Sequence, residues 1–130
     1  MNKIGDSLLG KRVLITQCQD FMGPVICDTF SEYGAKVIAD KEILAAPGAA
    51  EAVVARAGSI DILVANLSIQ APRTFVQDVT DAEWRHVFAH LVDPLPRLFS
   101  AVLPGMIERQ SGKIVVIGSA SALKGMKRAS

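Results

Sequence analysis

Apolar residues recur along the chain in two alternating patterns, short continuous runs and longer runs at helical spacing. Continuous runs are typical of strands covered on both faces of a parallel sheet, and a spacing of three to four residues is typical of an amphipathic helix. The predicted strands are 13–15, 36–39, 60–65 and 113–117, and the predicted helices are 22–33, 48–56 and 80–108. Strand and helix in alternation indicate a parallel sheet with helices on both faces.

We therefore predict the α/β class, with a doubly wound parallel sheet of the Rossmann-like kind. The sheet is expected to be incomplete because the sequence stops after the fourth predicted strand, so residues 1–130 are interpreted as the N-terminal part of a single Rossmann-like domain. Two sequence signals indicate where the predicted helical region 80–108 begins and where it is interrupted. Thr80 and Glu83 form a capping-box pattern at its start, and Pro94 predicts a kink or a restart.

Half of the 130 residues are hydrophobic, which suffices for one packed core and excludes a disordered chain. The formal net charge is only +1, so no basic surface suggests a nucleic-acid partner. No apolar stretch is long enough to span a membrane and no secretory signal is visible, so a cytoplasmic protein is expected. Cys18 and Cys27 are too few for a disulfide framework, and His86 and His90 lack a third ligand, so no metal site is predicted.

In a sheet of this kind the ligand lies at the carboxyl ends of the strands, which directs attention to segments 16–23, 40–44, 66–73 and 118–124. The first of these segments holds one glycine, Gly23, where a dinucleotide fold carries several. Gln17 and Phe21 stand at positions that a phosphate-binding loop needs as glycine. Two interpretations stay open: the loop still accepts a cofactor, or side chains have filled the cofactor site.

The whole chain resembles the N-terminal half of a short-chain dehydrogenase/reductase. The segments that carry the resemblance are 11–16, 60–66, the helix around Trp84, 103–106 and 112–119. Within that superfamily, the pattern Thr-x4-Phe-x-Gly at Thr16, Phe21 and Gly23 is similar to the motif of halohydrin dehalogenases, in which an aromatic residue replaces a cofactor glycine and lines a halide pocket. The resemblance adds Asn66 and Ser68 to the residues expected around that pocket.

The same resemblance makes Ser119 the catalytic serine, followed in the family by a tyrosine and then by Arg in the dehalogenases or Lys in the reductases. The only tyrosine present is Tyr33, so the 130 residues lack the expected Tyr and Arg. The function that the resemblance implies is conversion of vicinal halohydrins to epoxides with halide release, and the reverse opening of epoxides by small anions, without a cofactor. The expected partners are a small-molecule substrate and halide, in a homodimer or homotetramer.

The alternative is an oxidoreductase of the same superfamily that uses NAD or NADP. In that interpretation Gly23 and Asp40 would contact the cofactor, because Asp40 ends the second predicted strand, where an acid binds the adenosine ribose. Ser119 would then polarise a carbonyl group. Asp40 has a competing interpretation as a turn or capping residue. A third hypothesis, from another class, is a binding or scaffold protein without catalysis.

Overall fold

The computed structural model describes residues 7–124. Its strands are β1 (Arg12–Ile15), β2 (Lys36–Ala39), β3 (Ile62–Ala65) and β4 (Lys113–Val116). Its α-helices are α1 (Gly23–Glu32), α2 (Ala49–Ala57), α3 (Asp81–Leu91) and α4 (Pro94–Arg109), and short 3-10 helices cover Val76–Asp78 and Ala120–Leu123. The strands and helices predicted from apolar spacing are all present, with ends that differ by one or two residues.

The four strands form one sheet in the order β2-β1-β3-β4, and every neighbouring pair is parallel. In the centre of the sheet, Leu14 of β1 stands opposite Ile38 of β2 and Leu63 of β3. Parallel neighbours require crossover connections, which place helices on the faces of the sheet. The predicted doubly wound, Rossmann-like architecture is confirmed, and all four strands end at the same edge.

Side chains that alternate along the strands build one core on each face of the sheet. One core includes Leu14 and Leu63 with Val53 of α2 and Leu98 of α4, and the other includes Val13 and Ile15 with the partly buried Ile26 and Phe30 of α1. The three apolar residues of β1, 13–15, are fully buried. β1 is therefore covered on both faces, as its uninterrupted apolar run predicts.

The long helical region is divided into two helices, because α3 ends at Leu91 and α4 begins at Pro94. Thr80 caps α3: its hydroxyl accepts a hydrogen bond from the Glu83 amide at 3.2 Å. The capping-box pattern predicts that the Glu83 carboxylate reaches back to the Thr80 amide. Instead, this carboxylate accepts a hydrogen bond from the Thr74 hydroxyl at 2.6 Å, so it ties α3 to the preceding loop.

Helix α3 adds no buried residue to either core. Trp84 is 59% exposed, and its ring centroid lies 4.8 Å from that of Phe88. The apolar residues that predict this helix from their spacing therefore partly contact one another, as Trp84 and Phe88 do, and are not buried in a core. α3 packs against α4, and it is α4 that covers the sheet.

Among residues 7–124, no helix is both long enough and apolar enough to cross a membrane. Within the same range, no three side chains of His, Cys, Asp or Glu come together as the ligands of a metal ion would. His86 and His90 stack on α3 with ring centroids 4.2 Å apart, and Nδ1 of His90 lies 2.8 Å from the carbonyl oxygen of His86.

Candidate functional site

Loops from several strands meet at the carboxyl edge of the sheet. The loop after β1 contacts the loop after β3, and together with the end of β4 they border one cavity. The amide of Cys18 donates to the carbonyl of Asp40 at 2.9 Å, which joins the first loop to the end of β2. Ligands of parallel sheets bind at this edge, so the candidate site is located here.

The backbone of the loop after β1 is left-handed at two residues that are not glycine, Gln17 with φ of 40° and Phe21 with φ of 51°. This conformation costs an ordinary residue on the order of 1 kcal/mol, and glycine adopts it freely. Both residues stand where a dinucleotide-binding loop carries glycine. The loop therefore keeps a tight turn although two of the expected glycines are absent.

The Gln17 side chain folds into the protein and is only 2% exposed. Its Nε2 donates to the Ser68 carbonyl at 2.9 Å, and its Oε1 accepts from the Ser68 amide at 3.1 Å. Nε2 also donates to Oδ2 of Asp20 at 3.1 Å. Because the amide group pairs with Ser68 in both directions, Gln17 locks the first loop to the loop after β3 and does not project in front of it.

Thr16 and Asn66 form a second lock at the base of the same loop, and both are almost completely buried. The Thr16 hydroxyl donates to the Asn66 carbonyl at 2.8 Å and accepts from the Asn66 amide at 3.0 Å. Nδ2 of Asn66 donates to the carbonyls of Gln17 and Asp20, at 3.0 and 2.9 Å. Oδ1 of Asn66 is buried without a hydrogen-bond partner among the described residues, so one acceptor stays open beneath the loop.

Gly23 begins α1 at a point of close contact. A Cβ at this position would lie 2.6 Å from the carbonyl carbon and 2.8 Å from the Cα of Cys18, closer than real Cβ atoms approach. Only glycine therefore lets α1 start so near the loop, which is the packing role of the third glycine in a dinucleotide fingerprint. Pro24 has no amide hydrogen, and the amides of Gly23 and Ile26 already donate to the carbonyls of Asp20 and Met22, so α1 offers an anion at this edge chiefly the positive end of its dipole.

A cavity of about 400 Å³ opens beside the loop. Phe21, Leu67, Leu91, Val116 and Ile117 supply apolar wall, and Ser68 and Ser119 supply hydroxyl groups. None of its lining residues carries a charge. A wall of this kind suits an uncharged organic group whose few polar atoms meet the serines.

Ser119 follows β4 directly and borders this cavity. Its Oγ lies 2.8 Å from Oγ of Ser121 and accepts a hydrogen bond from the Ser121 amide at 3.2 Å. The side chain is exposed, so Ser121 orients a hydroxyl that a ligand can still reach. Phe21, 58% exposed, forms another part of the wall of the same cavity.

Asp40 lies just past the end of β2 and does not line the cavity. Its Oδ1 accepts from the Glu42 amide at 2.9 Å, and its Oδ2 lies 3.1 Å from Nη2 of Arg56. Arg56 also bonds the Glu42 carboxylate, and these bonds, first to Glu42 and then to Asp40, raise the pKa of Arg56 above its ordinary value. Asp40 is thus a turn residue that accepts from the Glu42 amide. Its carboxylate is also held by Arg56 at the carboxyl edge of the sheet.

The structure brings some of the predicted site residues together and separates others. Phe21, Ser68 and Ser119 line the cavity, Thr16 and Asn66 lie buried at the base of the loop, Gly23 begins α1, and Asp40 stands at the end of β2. Their roles toward a ligand stay predictions. The sequence did not identify the lock between Gln17 and Ser68 or the wall at Val116 and Ile117. All four residues lie within three positions of the end of a strand, and this position was the available signal.

Comparison with known sequences connects this geometry to a family. A family model described as short chain dehydrogenase matches residues 44–130. The 3-oxoacyl-[acyl-carrier-protein] reductase FabG of Escherichia coli is 29% identical over an alignment of 135 positions. The alignment covers 85% of this chain and 55% of that protein. The chain thus spans about half the length of the curated relatives it matches.

Solved structures share the fold. A 3-oxoacyl (acyl-carrier-protein) reductase from Agrobacterium tumefaciens with NADP bound has a TM-score of 0.84 at 23% identity, covering 94% of this chain and 57% of that one. A structure described as a dehalogenation enzyme has a TM-score of 0.83 at 26% identity, covering 94% of this chain and 59% of that one. The same architecture therefore occurs in proteins of both descriptions.

The prediction of an enzyme without a cofactor is contradicted by these relatives, which include reductases, one of them solved with NADP bound. Gln17 and Phe21 were both expected to fill the phosphate loop; Phe21 does border the cavity, but the Gln17 side chain does not enter it. It turns inward to Ser68 instead, and the backbone makes the tight turn without glycine. The relatives favour the oxidoreductase alternative over the halohydrin dehalogenase. The chain belongs to the short-chain dehydrogenase family.

Proposed function

We propose that the protein is an oxidoreductase that uses NAD or NADP, and that the carboxyl edge of the sheet holds the dinucleotide. The observation that carries the proposal is the left-handed turn at Gln17 and Phe21, which gives this loop the backbone path of a phosphate-binding loop without glycine. The similarity to reductases supports the same assignment.

The residues at this edge fit a dinucleotide. Gly23 lets α1 begin against the loop, so the positive end of the helix dipole faces the edge where the pyrophosphate would lie. Gln17 keeps its side chain out of the phosphate position. Asp40 stands where a carboxylate accepts hydrogen bonds from the adenosine ribose. The ring of Phe21 narrows the path, and its 58% exposure leaves it room to turn away from an incoming ligand.

A nicotinamide ring, when bound, supplies the donor or acceptor of a hydride. Within this chain, Ser119 is the residue that would bind the reacting oxygen of a small-molecule substrate, by a hydrogen bond from its hydroxyl. Ser121 orients that hydroxyl. A substrate seated on the apolar wall at Leu67, Leu91 and Val116 would itself displace water from the cavity, which would strengthen a hydrogen bond to Ser119.

Calorimetric titration of the protein with NAD, NADH, NADP and NADPH tests the proposal. Phe21→Gly removes a ring from the path of the ligand, so we expect dinucleotide affinity to rise at least about threefold. Relief of the left-handed backbone strain acts on free and bound protein alike, so it is expected to change stability and not affinity. Phe75→Gly is the matched control, because Phe75 is also half exposed and lies outside the cavity. Absence of binding at millimolar dinucleotide in both the parent and Phe21→Gly would contradict the proposal.

A second candidate function is dehalogenation of a vicinal halohydrin, and a specific observation favours it. Phe21 is the aromatic residue of the pattern that resembles the halohydrin dehalogenases, and it shares the uncharged cavity with Ser119. A dehalogenation enzyme is also among the structures with the same fold. Release of bromide from a bromohydrin, abolished by Ser119→Ala, would favour this function, whereas reduction or oxidation of a nicotinamide would favour the first.

The protein is further proposed to act as a homodimer or homotetramer on a small-molecule substrate. The outer surface of α4 supports self-association, because Ile107 and Leu103 are exposed on it, at 69% and 38%. Apolar side chains exposed on one helix are typical of surfaces that another chain covers.

A further inference from the structure

The two cysteines of the chain lie beside the loop after β1. Cys18 belongs to this loop, and Cys27 lies in the second turn of α1. Both pack against the core cluster that contains Val13, Ile15 and Val64, and both are partly exposed. The two thiols thus pack against the same small cluster, and each is partly accessible to a small reagent.

The contact at the start of α1 limits how far apart the two cysteines can be. A Cβ at Gly23 would lie 2.8 Å from the Cα of Cys18. Cys27 follows Gly23 by four residues, so its Cβ lies on the same face of α1, about 5–6 Å from that point. Side chains of a helix lean toward its N-terminus, which directs Cys27 back to the turn that touches Cys18. A disulfide needs α-carbons about 4.4–6.8 Å apart, a range that this arrangement permits.

The acidity of the thiols agrees with this proximity. Burial raises the pKa of Cys27, and the neighbouring Cys18 raises it further because two thiolates repel each other. Burial also raises the pKa of Cys18, with smaller contributions from the carboxylates of Asp40 and Asp20. Both groups are protonated at neutral pH, so they are stable thiols until an oxidant reacts with them.

We propose that Cys18 and Cys27 form a reversible intramolecular disulfide when the protein meets a small oxidised disulfide such as glutathione disulfide. The thiolate of one cysteine attacks the reagent and releases a first glutathione thiol. The other cysteine then attacks the mixed disulfide, forms the Cys18–Cys27 bond and releases a second. The two protein thiols lose two protons and two electrons, which leave with the reagent as two thiols, and excess dithiol reverses both steps.

The bridge closes a ring of residues 18–27, which contains Phe21 and Gly23. A cross-link of this kind restricts the motion of the enclosed backbone. One consequence rests on the proposed dinucleotide site: Phe21 loses its freedom to turn aside, so oxidised protein binds NAD or NADP at least threefold more weakly than reduced protein. The disulfide itself is measured without any nucleotide. Failure of the disulfide proposal is therefore distinguishable from failure of the proposed dinucleotide site.

Intact-mass spectrometry after equilibration with glutathione disulfide provides the test. We expect the parent protein to lose two hydrogens, to carry no glutathione and to resist alkylation until dithiothreitol is added. Cys18→Ser and Cys27→Ser, the matched variants, are each expected to stop at a mixed disulfide with one glutathione. A parent protein that accumulates glutathione as the single variants do would overturn the proposal.

The unfolded chain is the necessary comparison, because cysteines nine positions apart can also pair without a fold. The ratio of internal to mixed disulfide, measured at the same glutathione concentrations, is expected to be at least tenfold higher in buffer than in concentrated urea. An equal ratio in the two solvents would show that the native structure does not bring the thiols together, and would also contradict the proposal.

Discussion

At the scale of single residues, the loop after β1 adopts a left-handed backbone at two residues, Gln17 and Phe21, where such loops ordinarily carry glycine. Gln17 adopts a left-handed backbone and offsets its cost with hydrogen bonds to Ser68 and Asp20. Gly23 stays glycine because the carbonyl of Cys18 leaves no room for a Cβ. The loop is thus stabilised by the buried side-chain amides of Gln17 and Asn66 and by one position without a side chain.

Replacement of the Gln17 amide is the first prediction at this scale. Gln17→Leu keeps the bulk of the side chain and leaves the amide and carbonyl of Ser68 without partners, which costs about 1–3 kcal/mol of unfolding free energy. Urea unfolding followed by circular dichroism measures the change. Gln19→Leu is the control, because Gln19 is exposed in the same loop. Equal stability of the two variants would show that the Ser68 pairing contributes nothing.

Addition of a methyl group at Gly23 is the second prediction at the scale of single residues. Gly23→Ala must push α1 away from Cys18, and overpacking of this kind costs about 1–3 kcal/mol. Gly118→Ala serves as the comparison, since a Cβ there meets no atom within 4 Å. Thermal unfolding of both variants should show a lowered midpoint for Gly23→Ala alone, and an unchanged midpoint would mean that the contact relaxes without cost.

At the scale of elements, the ends of helices decide how the loops of the site are held. α3 begins at a capped residue, Thr80, and its Glu83 holds the preceding loop through Thr74. α1 begins at Gly23 without a side-chain cap and depends on its contact with the loop after β1. The start of α1 is therefore more sensitive to changes in its neighbouring loop than the start of α3.

Removal of the α3 cap gives a prediction at this scale. Thr80→Ala deletes the acceptor of the Glu83 amide and is expected to lower the unfolding free energy by about 1 kcal/mol. Thr29→Ala is a matched change inside α1, where the hydroxyl only donates to the carbonyl of Val25 in the preceding turn and adds little. Chemical denaturation that shows the same loss for both variants would argue against the cap.

The packing of α1 on the loop also predicts a dependence of stability on alkaline pH. Burial raises the pKa of Cys18 and Cys27 above their ordinary value of 9.0, so the unfolded chain loses these protons first as the pH rises. Stability is therefore unaffected by the thiols below about pH 8 and falls as the pH passes 9. Unfolding free energies of reduced protein measured from pH 7 to 10 should fall less steeply in a variant with both cysteines replaced by alanine. An identical slope would contradict the assignment.

At the scale of the whole molecule, α4 has two different faces. Leu98, Val102 and Met106 are buried in the core that it shares with α2 and the sheet, whereas Leu103 and Ile107 are exposed. The buried residues are explained by the fold of one chain. The exposed residues give a reason for association with another copy.

Disruption of that outer face tests the proposed oligomer. Ile107→Glu puts a charge on an apolar surface and is expected to weaken self-association at least tenfold, because a buried unpaired carboxylate costs more than the about 1.4 kcal/mol that this factor represents. Light scattering over a concentration series measures the change. Ile43→Glu is the control, since Ile43 is similarly exposed, at 56%, in the segment between β2 and α2. A monomeric parent at micromolar concentration would refute the oligomer.

The succession of strands and helices, their cover on both faces of the sheet and the edge at which a ligand is expected were all predictable from the sequence. These follow from apolar spacing, which is local, and from the rule that parallel strands end together. The conformation of the loop after β1, in contrast, depends on contacts between residues that are far apart in the sequence. The partner of Gln17 is Ser68, 51 residues away, so neither its inward rotation nor the turn beside it was predictable from neighbouring residues. The expectation that Gln17 fills the cofactor site failed for that reason: the sequence shows which side chain replaces a glycine, and tertiary contacts decide where that side chain points.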